Sequence, residues 1–304
     1  MRPLSFDRDL SYREFDLVPT LDSLKDRYLE TRERIARAAE RAGRDPAGIV
    51  TVAVSKYSGL DEIRELVALG HRDFGESQVQ QLIQRASAVA EWTARHKLVG
   101  RSAASSAPQP VTPGVRWHMV GHLQRNKARK AVEFARLVHS VDSLRLAEEL
   151  QNIGLRNDSV IEVLLQVNCS GEASKFGCAV AAAYHLAEQM ESMLNLRLRG
   201  LMTMAAPTAV ADDARPTFSR LRELMDDLRR GGIGTERPRG GGFDLLSMGM
   251  SSDFEAAIAE GANVLRLGSV IFGASTNPPG DIADAHAERD LNDDAEADAD
   301  AADD

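Results

Sequence analysis

A lysine closes the first strongly β-patterned run of the sequence. Residues 49–56 read IVTVAVSK, so Lys56 stands where an apolar strand ends. An ammonium at the mouth of an apolar site is partly desolvated, which favours the neutral amine, and such an amine commonly forms a Schiff base with a carbonyl. A lysine in a structural ion pair is the plain alternative, and position alone leaves both open. A second group concerns phosphate. SMGMSSD leads into FEAAIAEG, with Ser252 and Glu255 at capping-box spacing,. A small, glycine-containing turn before a helix offers backbone N–H groups at the positive end of the dipole, where phosphate binds well. LRLGSVIFG adds a second such turn at Gly268. Either loop alone reads as an ordinary helix start. Together, beside a lysine on the first strand, they point to a phosphate-bearing carbonyl ligand. Arg266 is the third element. It can face the phosphate or a ring nitrogen, or it can pair with a carboxylate. A guanidinium donating to a pyridine nitrogen keeps that nitrogen unprotonated.

The elements that must position these residues form a repeated pattern. Strand candidates lie at residues 49–56, 71–77, 117–121, 137–142, 160–168, 196–204, 243–249 and 263–273, and all but the last precede a clear helical stretch. Near-continuous apolar strands alternating with helices imply parallel strands buried on both faces. The pattern fits an α/β fold built as a single (β/α)8 TIM barrel better than a doubly wound sheet, and no G-x-G-x-x-G follows a strand. Barrel sites form at the C-terminal ends of the strands, with phosphate usually held after strands seven and eight. Ser77, His122, Asp142, Asn168 and Thr203 stand at other strand ends.

An amphipathic helix is expected over residues 16–43, before the barrel. The expected organisation is a flexible N-terminus at 1–15, a barrel at 16–275 and a disordered acidic tail at 276–304. A Ser/Ala/Pro-rich mobile insertion is expected at about 95–114, and a glycine-rich loop at 231–242.

The chain has 304 residues and a formal charge of −9, but residues 281–304 hold eleven acids against one base. The rest is close to neutral, which gives no whole-domain attraction for nucleic acid or an anionic membrane. No apolar run reaches the length of a membrane span, and the N-terminus does not read as a secretory signal. Two cysteines, Cys169 and Cys178, make no disulfide framework, so free thiols and a cytoplasmic location are expected,. His71 and His139 have no partners at metal-ligand spacing, so no metal is expected. Trp117 and His118, on a buried strand, read as packing residues.

Six motifs then occur in a telling order: AVSKYSGLDEIRELVALGHRDFGESQVQQL, WHMVGHLQRNK, VHSVDSLRLAEEL, GEASKFGC, LRGLMTMA and LSMGMSSDFEAAIAEGANVLRLGSVIFG. This set, within about residues 16–274, resembles the pyridoxal phosphate homeostasis protein family, whose members are similar to the N-terminal barrel of alanine racemase. The resemblance implies that Lys56 holds pyridoxal 5′-phosphate (PLP) as an internal aldimine. It implies phosphate contacts from Ser251 and the turn at Gly268, Arg266 near the pyridine nitrogen and Met250 against the cofactor. It places His122, Asn126 and Lys127 around the third loop, where a second, weaker contact is conceivable. One departure stands at Ser77, since the family commonly reads FGEN where this chain reads FGES. A hydroxyl is shorter than an amide and lacks its NH₂ donor, so Ser77 would reach the cofactor through a water.

Two functions follow from different classes. One is a PLP carrier for intracellular homeostasis, without catalysis, serving PLP-dependent apo-enzymes. The other is a racemase-like PLP enzyme, and a Schiff-base aldolase without PLP is a third. A racemase needs a second base on the opposite face of the ligand. In the racemase family it is a tyrosine supplied through a second domain, for which the residues after 273 leave no room. The carrier, as a monomer, is the expected reading.

Overall fold

The computed structural model describes residues 23–56, 58–102, 114–172, 175–207, 210–234 and 242–273, with side chains of 96–102 excepted. Eight parallel strands close into a barrel: β1 (Val50–Val54), β2 (Asp73–Glu76), β3 (Arg116–Met119), β4 (Ala135–Val141), β5 (Ile161–Asn168), β7 (Leu196–Met202), β8 (Leu245–Ser247) and β9 (Val264–Leu267). Neighbours in sequence are neighbours in the wall, and β1 pairs with β9 to seal it. A two-residue strand, β6 (Cys178–Ala179), adds to the end of β5. The helices between strands are α2 (Leu60–Ala68), α3 (Val79–Ser102), α4 (Arg125–Val132), α5 (Leu144–Arg156), α6 (Ala183–Glu191), α7 (Arg215–Arg230) and α8 (Phe254–Ala259). The short α9 (Ser269–Phe272) ends the described chain. The fold is the expected (β/α)8 barrel. No described helix is long and apolar enough to cross a membrane.

Alternation along each strand separates two environments. Outward residues such as Phe74, Trp117, Val163 and Leu201 pack with the helices in the large core. Inside the barrel the apolar cluster is small: Leu137, Leu164 and Met202, with Met204 and Leu245 against it. Beside it runs a polar set, Asp73, His118, His139, Ser247 and Arg266, all buried. His118 therefore turns into the barrel and joins a hydrogen-bonded file, whereas Trp117, one residue away, packs outward on Phe74.

Three expectations are corrected. The first helix, α1 (Leu24–Arg41), starts at Ser23, whose extended backbone and side-chain bond to the Asp26 N–H cap it. Residues 16–22, like the N-terminus at 1–15 and the tail at 276–304, lie outside the described residues. Of the insertion at 95–114, residues 95–102 continue α3, and 103–113 lie outside the described residues. The Ser252–Glu255 capping box does not form. Asp253 takes the N-cap position of α8 without a side-chain cap bond, its carboxylate instead accepting from the Met250 N–H of the preceding turn at 2.6 Å, and Glu255 pairs with Arg34 and Arg41. In the loop at 231–242, residues 235–241 lie outside the described residues.

Candidate functional site

The C-terminal ends of the strands enclose a cavity of about 520 Å³. Lys56, Ser77, Met250, Ser251, Arg266 and Gly268 all line it. Lys56 follows β1 directly and is exposed, so the protein walls alone do not desolvate it as the strand pattern implied. It sits just beyond the strand, where the mouth opens to solvent. Ser77 follows β2, and the loop after β3 crosses it closely. A Cβ on Gly121 would lie 2.1 Å from the Ser77 carbonyl oxygen, so the two loops touch only because residue 121 is glycine,.

The corner where the sequence expects phosphate is built from hydroxyls. Ser251 Oγ accepts from the Gly268 N–H at 3.2 Å and the Val270 N–H at 3.3 Å, tying the loop after β8 to the start of α9. Ser252 and Ser269 stand beside it on the cavity wall. The start of α8 is less suited to an anion than the sequence implied. Its Asp253 carboxyl occupies the turn, and burial pushes that group's pKa up. Gly249, at φ +94°, makes the bend that brings this loop over the barrel, where a Cβ would stand 2.7 Å from Ala257 Cβ.

Arg266 forms the floor. It is 5% exposed, and its pKa falls to about 10 through burial, partly opposed by Asp253. It stays protonated at neutral pH. It donates to Ser247 Oγ and to the Thr203 carbonyl, both at 2.8 Å, in place of the salt bridge that was the alternative. Val54, Val120, Met204, Met250 and Phe272 supply apolar walls. His122 stacks on Phe176 with ring centroids 4.3 Å apart, at the side of the cavity far from the serines in sequence. Asn126 and Lys127, on exposed turns of α4, do not line it.

Sequence reasoning missed Gln166 and Phe176. Gln166 donates to the Phe176 carbonyl at 3.0 Å, fixing the loop after β5. Asn168 and Thr203, noted at strand ends, are structural. Asn168 bonds the loop backbone at Glu172, Lys175 and Gly171, and Thr203 donates to the Val167 carbonyl. Cys169 and Cys178 are free and buried, with pKa values pushed up by burial to about 11 and about 12. Among the described residues no group of three His, Cys, Asp or Glu side chains could hold a metal.

An amine at the end of the first strand, a serine–glycine corner after the last two and a closed parallel barrel define the class of the alanine racemase barrel. Residues 30–276 match the family described as alanine racemase, N-terminal domain. A protein of Pseudomonas aeruginosa named pyridoxal phosphate homeostasis protein is 39% identical over 254 residues, covering 84% of this chain and 96% of that one. Its namesake in Aquifex aeolicus is 33% identical, covering 82% and 96%. The chain belongs to the pyridoxal phosphate homeostasis protein family.

Solved structures agree. A protein of Bifidobacterium adolescentis described as unknown superposes with a TM-score of 0.71 at 34% identity, covering 82% of this chain and 94% of that one. PipY of Synechococcus elongatus, solved with PLP bound, gives 0.62 at 31% identity, covering 80% and 99%. An alanine racemase of Clostridium difficile, at 12% identity and a TM-score of 0.53, shares the fold and is covered over 57% of its length.

Proposed function

We propose that this chain binds pyridoxal 5′-phosphate in the mouth cavity, holds it as a Schiff base on Lys56 and delivers it to PLP-dependent apo-enzymes without catalysis. One observation carries the reading: a single cavity gathers an amine, a hydroxyl corner, a buried cation and apolar walls. These fit the four parts of PLP, namely its aldehyde, its phosphate, its ring nitrogen and its ring faces. When bound, PLP supplies an electrophilic carbonyl and a ring that withdraws electrons. Ser251 has both oxygen lone pairs engaged by N–H groups, so its own proton is left to donate to the phosphate,. Glycine at 268 lets this turn lie close on β1, since a Cβ there would meet the Val54 carbonyl at 3.3 Å. Arg266 offers its remaining N–H groups to the ring nitrogen, Met250 packs on the ring, and Ser77 reaches the ligand through water.

The racemase reading draws less support. Tyr28 is buried and sits 3.3 Å from His71 Nδ1, and Tyr184 donates to the Gly231 carbonyl. No described tyrosine lines the cavity. An exposed Lys56 also suits reversible exchange with solvent better than water-excluded carbanion chemistry,. The test is borohydride reduction of the PLP-incubated protein followed by peptide mass spectrometry. A PLP adduct on Lys56, lost in Lys56→Ala, is expected. No adduct, or an adduct on another lysine, sinks the reading. Amino-acid racemisation abolished by Lys56→Ala would restore the enzyme.

A further inference from the structure

Five side chains run in file through the barrel, from the cavity floor to the opposite end. Arg266 Nη1 donates to Ser247 Oγ at 2.8 Å. Ser247 Oγ lies 2.9 Å from His139 Nδ1, and His139 Nε2 lies 2.9 Å from His118 Nδ1. His118 Nε2 is 3.2 Å from Asp73 Oδ1, which also accepts from Arg116 Nε at 2.6 Å. The file crosses β9, β8, β4, β3 and β2, and none of its five members is more than 8% exposed.

The two ends fix the direction of the bonds between them. Burial opposes ionisation of Asp73, but hydrogen bonds from Arg116 and His118 outweigh it and hold the carboxyl well below the usual carboxylate range. Asp73 is therefore an acceptor, and His118 Nε2–H donates to it. Burial, with the charge of Arg266 nearby, holds His139 well below its ordinary pKa, so it is neutral at physiological pH,. His139 Nε2–H then donates to His118 Nδ1, and the Ser247 hydroxyl donates to His139 Nδ1. The Ser247 oxygen accepts from Arg266. Every proton has an acceptor. The reverse order would add a proton to the file and leave the Ser247 hydrogen unplaced, which costs a buried group its bond.

We propose that Ser247, His139, His118 and Asp73 are positioning residues for Arg266, forming a one-way hydrogen-bonded brace that aims the guanidinium at the ring nitrogen of the bound ligand. The inference rests on the PLP reading above. Ser247 takes one Nη1 proton and the Thr203 carbonyl takes one from Nη2, which sets the plane of the guanidinium. Other N–H groups of Arg266 are left for a ligand in the cavity that it lines. Donating its own proton to His139 fixes the Ser247 hydroxyl rotor, with its lone pairs left for Arg266,.

The experiment compares PLP with its ring-N-methyl analogue, which cannot accept a hydrogen bond at that nitrogen. Dissociation constants are measured by absorbance titration for wild type, Ser247→Ala, Ser247→Thr and His139→Gln. Loss of one braced hydrogen bond predicts roughly 5–10-fold weaker PLP binding in Ser247→Ala, under about 2-fold for the N-methyl analogue, and recovery in Ser247→Thr. Equal losses for both ligands, or no loss for PLP, overturn the brace. Imidazole ¹⁵N resonances of the wild type give a check that needs no variant to fold. A neutral Nε2–H tautomer of His139 is expected, and an Nδ1–H tautomer at that ring overturns the proposal. Failure of the wild type to bind PLP overturns the reading itself. Wild-type binding with an indifferent Ser247→Ala overturns only the brace.

Discussion

Ser251→Ala tests the phosphate corner more sharply than loss of the lysine does. The hydroxyl is tied to two backbone N–H groups, at 3.2 and 3.3 Å, and has one proton left to give. If Ser251 donates to the phosphate as proposed, removing it deletes one charge-assisted hydrogen bond, worth about 1.5–3 kcal/mol. The same change releases the Gly268 and Val270 N–H groups, which can turn to the phosphate and recover part of that. The net loss belongs at the low end, about 1.5 kcal/mol or roughly tenfold in Kd. The assay is an absorbance titration of wild type and variant with PLP and with pyridoxal, which has the aldehyde and ring but no phosphate. PLP affinity should fall about tenfold while pyridoxal affinity stays within about twofold. An equal fall for both ligands would mean that Ser251 acts by shaping the loop. An unchanged PLP affinity would remove the phosphate from this corner.

Other changes probe the scaffold. Gly121→Ala should force the loops after β2 and β3 apart, because its Cβ would lie 2.1 Å from the Ser77 oxygen. Thermal denaturation should show a loss of roughly 2–4 kcal/mol, in the range of severe steric substitutions, with weaker PLP binding. His139 is held below its ordinary pKa by burial and by the charge of Arg266 nearby. The unfolded chain therefore binds the extra proton first, below a pKa of about 6.5, so this contribution is complete above that pH and is lost as pH falls. Urea titrations between pH 7 and 5 should show stability declining by at most about 1.4 kcal/mol per pH unit from this group, and His139→Gln should flatten the slope. A slope unchanged in the variant would contradict the assignment. Arg27→Ala removes two bonds at 3.0 Å to the carbonyls of Ile271 and Phe272. A loss of about 1.5–3 kcal/mol is expected in calorimetry, together with weaker PLP binding, since Phe272 lines the cavity,.

The barrel was readable because its strands are short apolar runs separated by amphipathic helices. Lys56, Ser251, Arg266 and Gly268 were readable because they stand at strand ends, where a barrel gathers its site. Gln166 was hidden for the same reason that its strand was visible. In IEVLLQVN both faces are buried, so the pattern does not say which residues look inward,. Phe176 reaches the cavity through a loop whose course depends on the side chains of Asn168 and Gln166, and no local pattern reports that. β6 has two residues, too few to leave a period. The buried histidines read as packing because their partners lie 21 to 108 positions away in sequence.

The clasp between α1 and α9 has a consequence for how the protein is made. Arg27 and Thr31 bond the carbonyls of Val270, Ile271 and Phe272, while β1 waits for β9 along its whole length. These contacts span more than 200 positions, and such distant pairings pay their loop-closure entropy before they return anything. During synthesis the lysine emerges early, on a strand with one edge open. The wall carrying Gly268 and Phe272 leaves the ribosome some 200 residues later. The pocket is therefore a product of the last step of folding, and a nascent chain cannot hold ligand there until that step is complete.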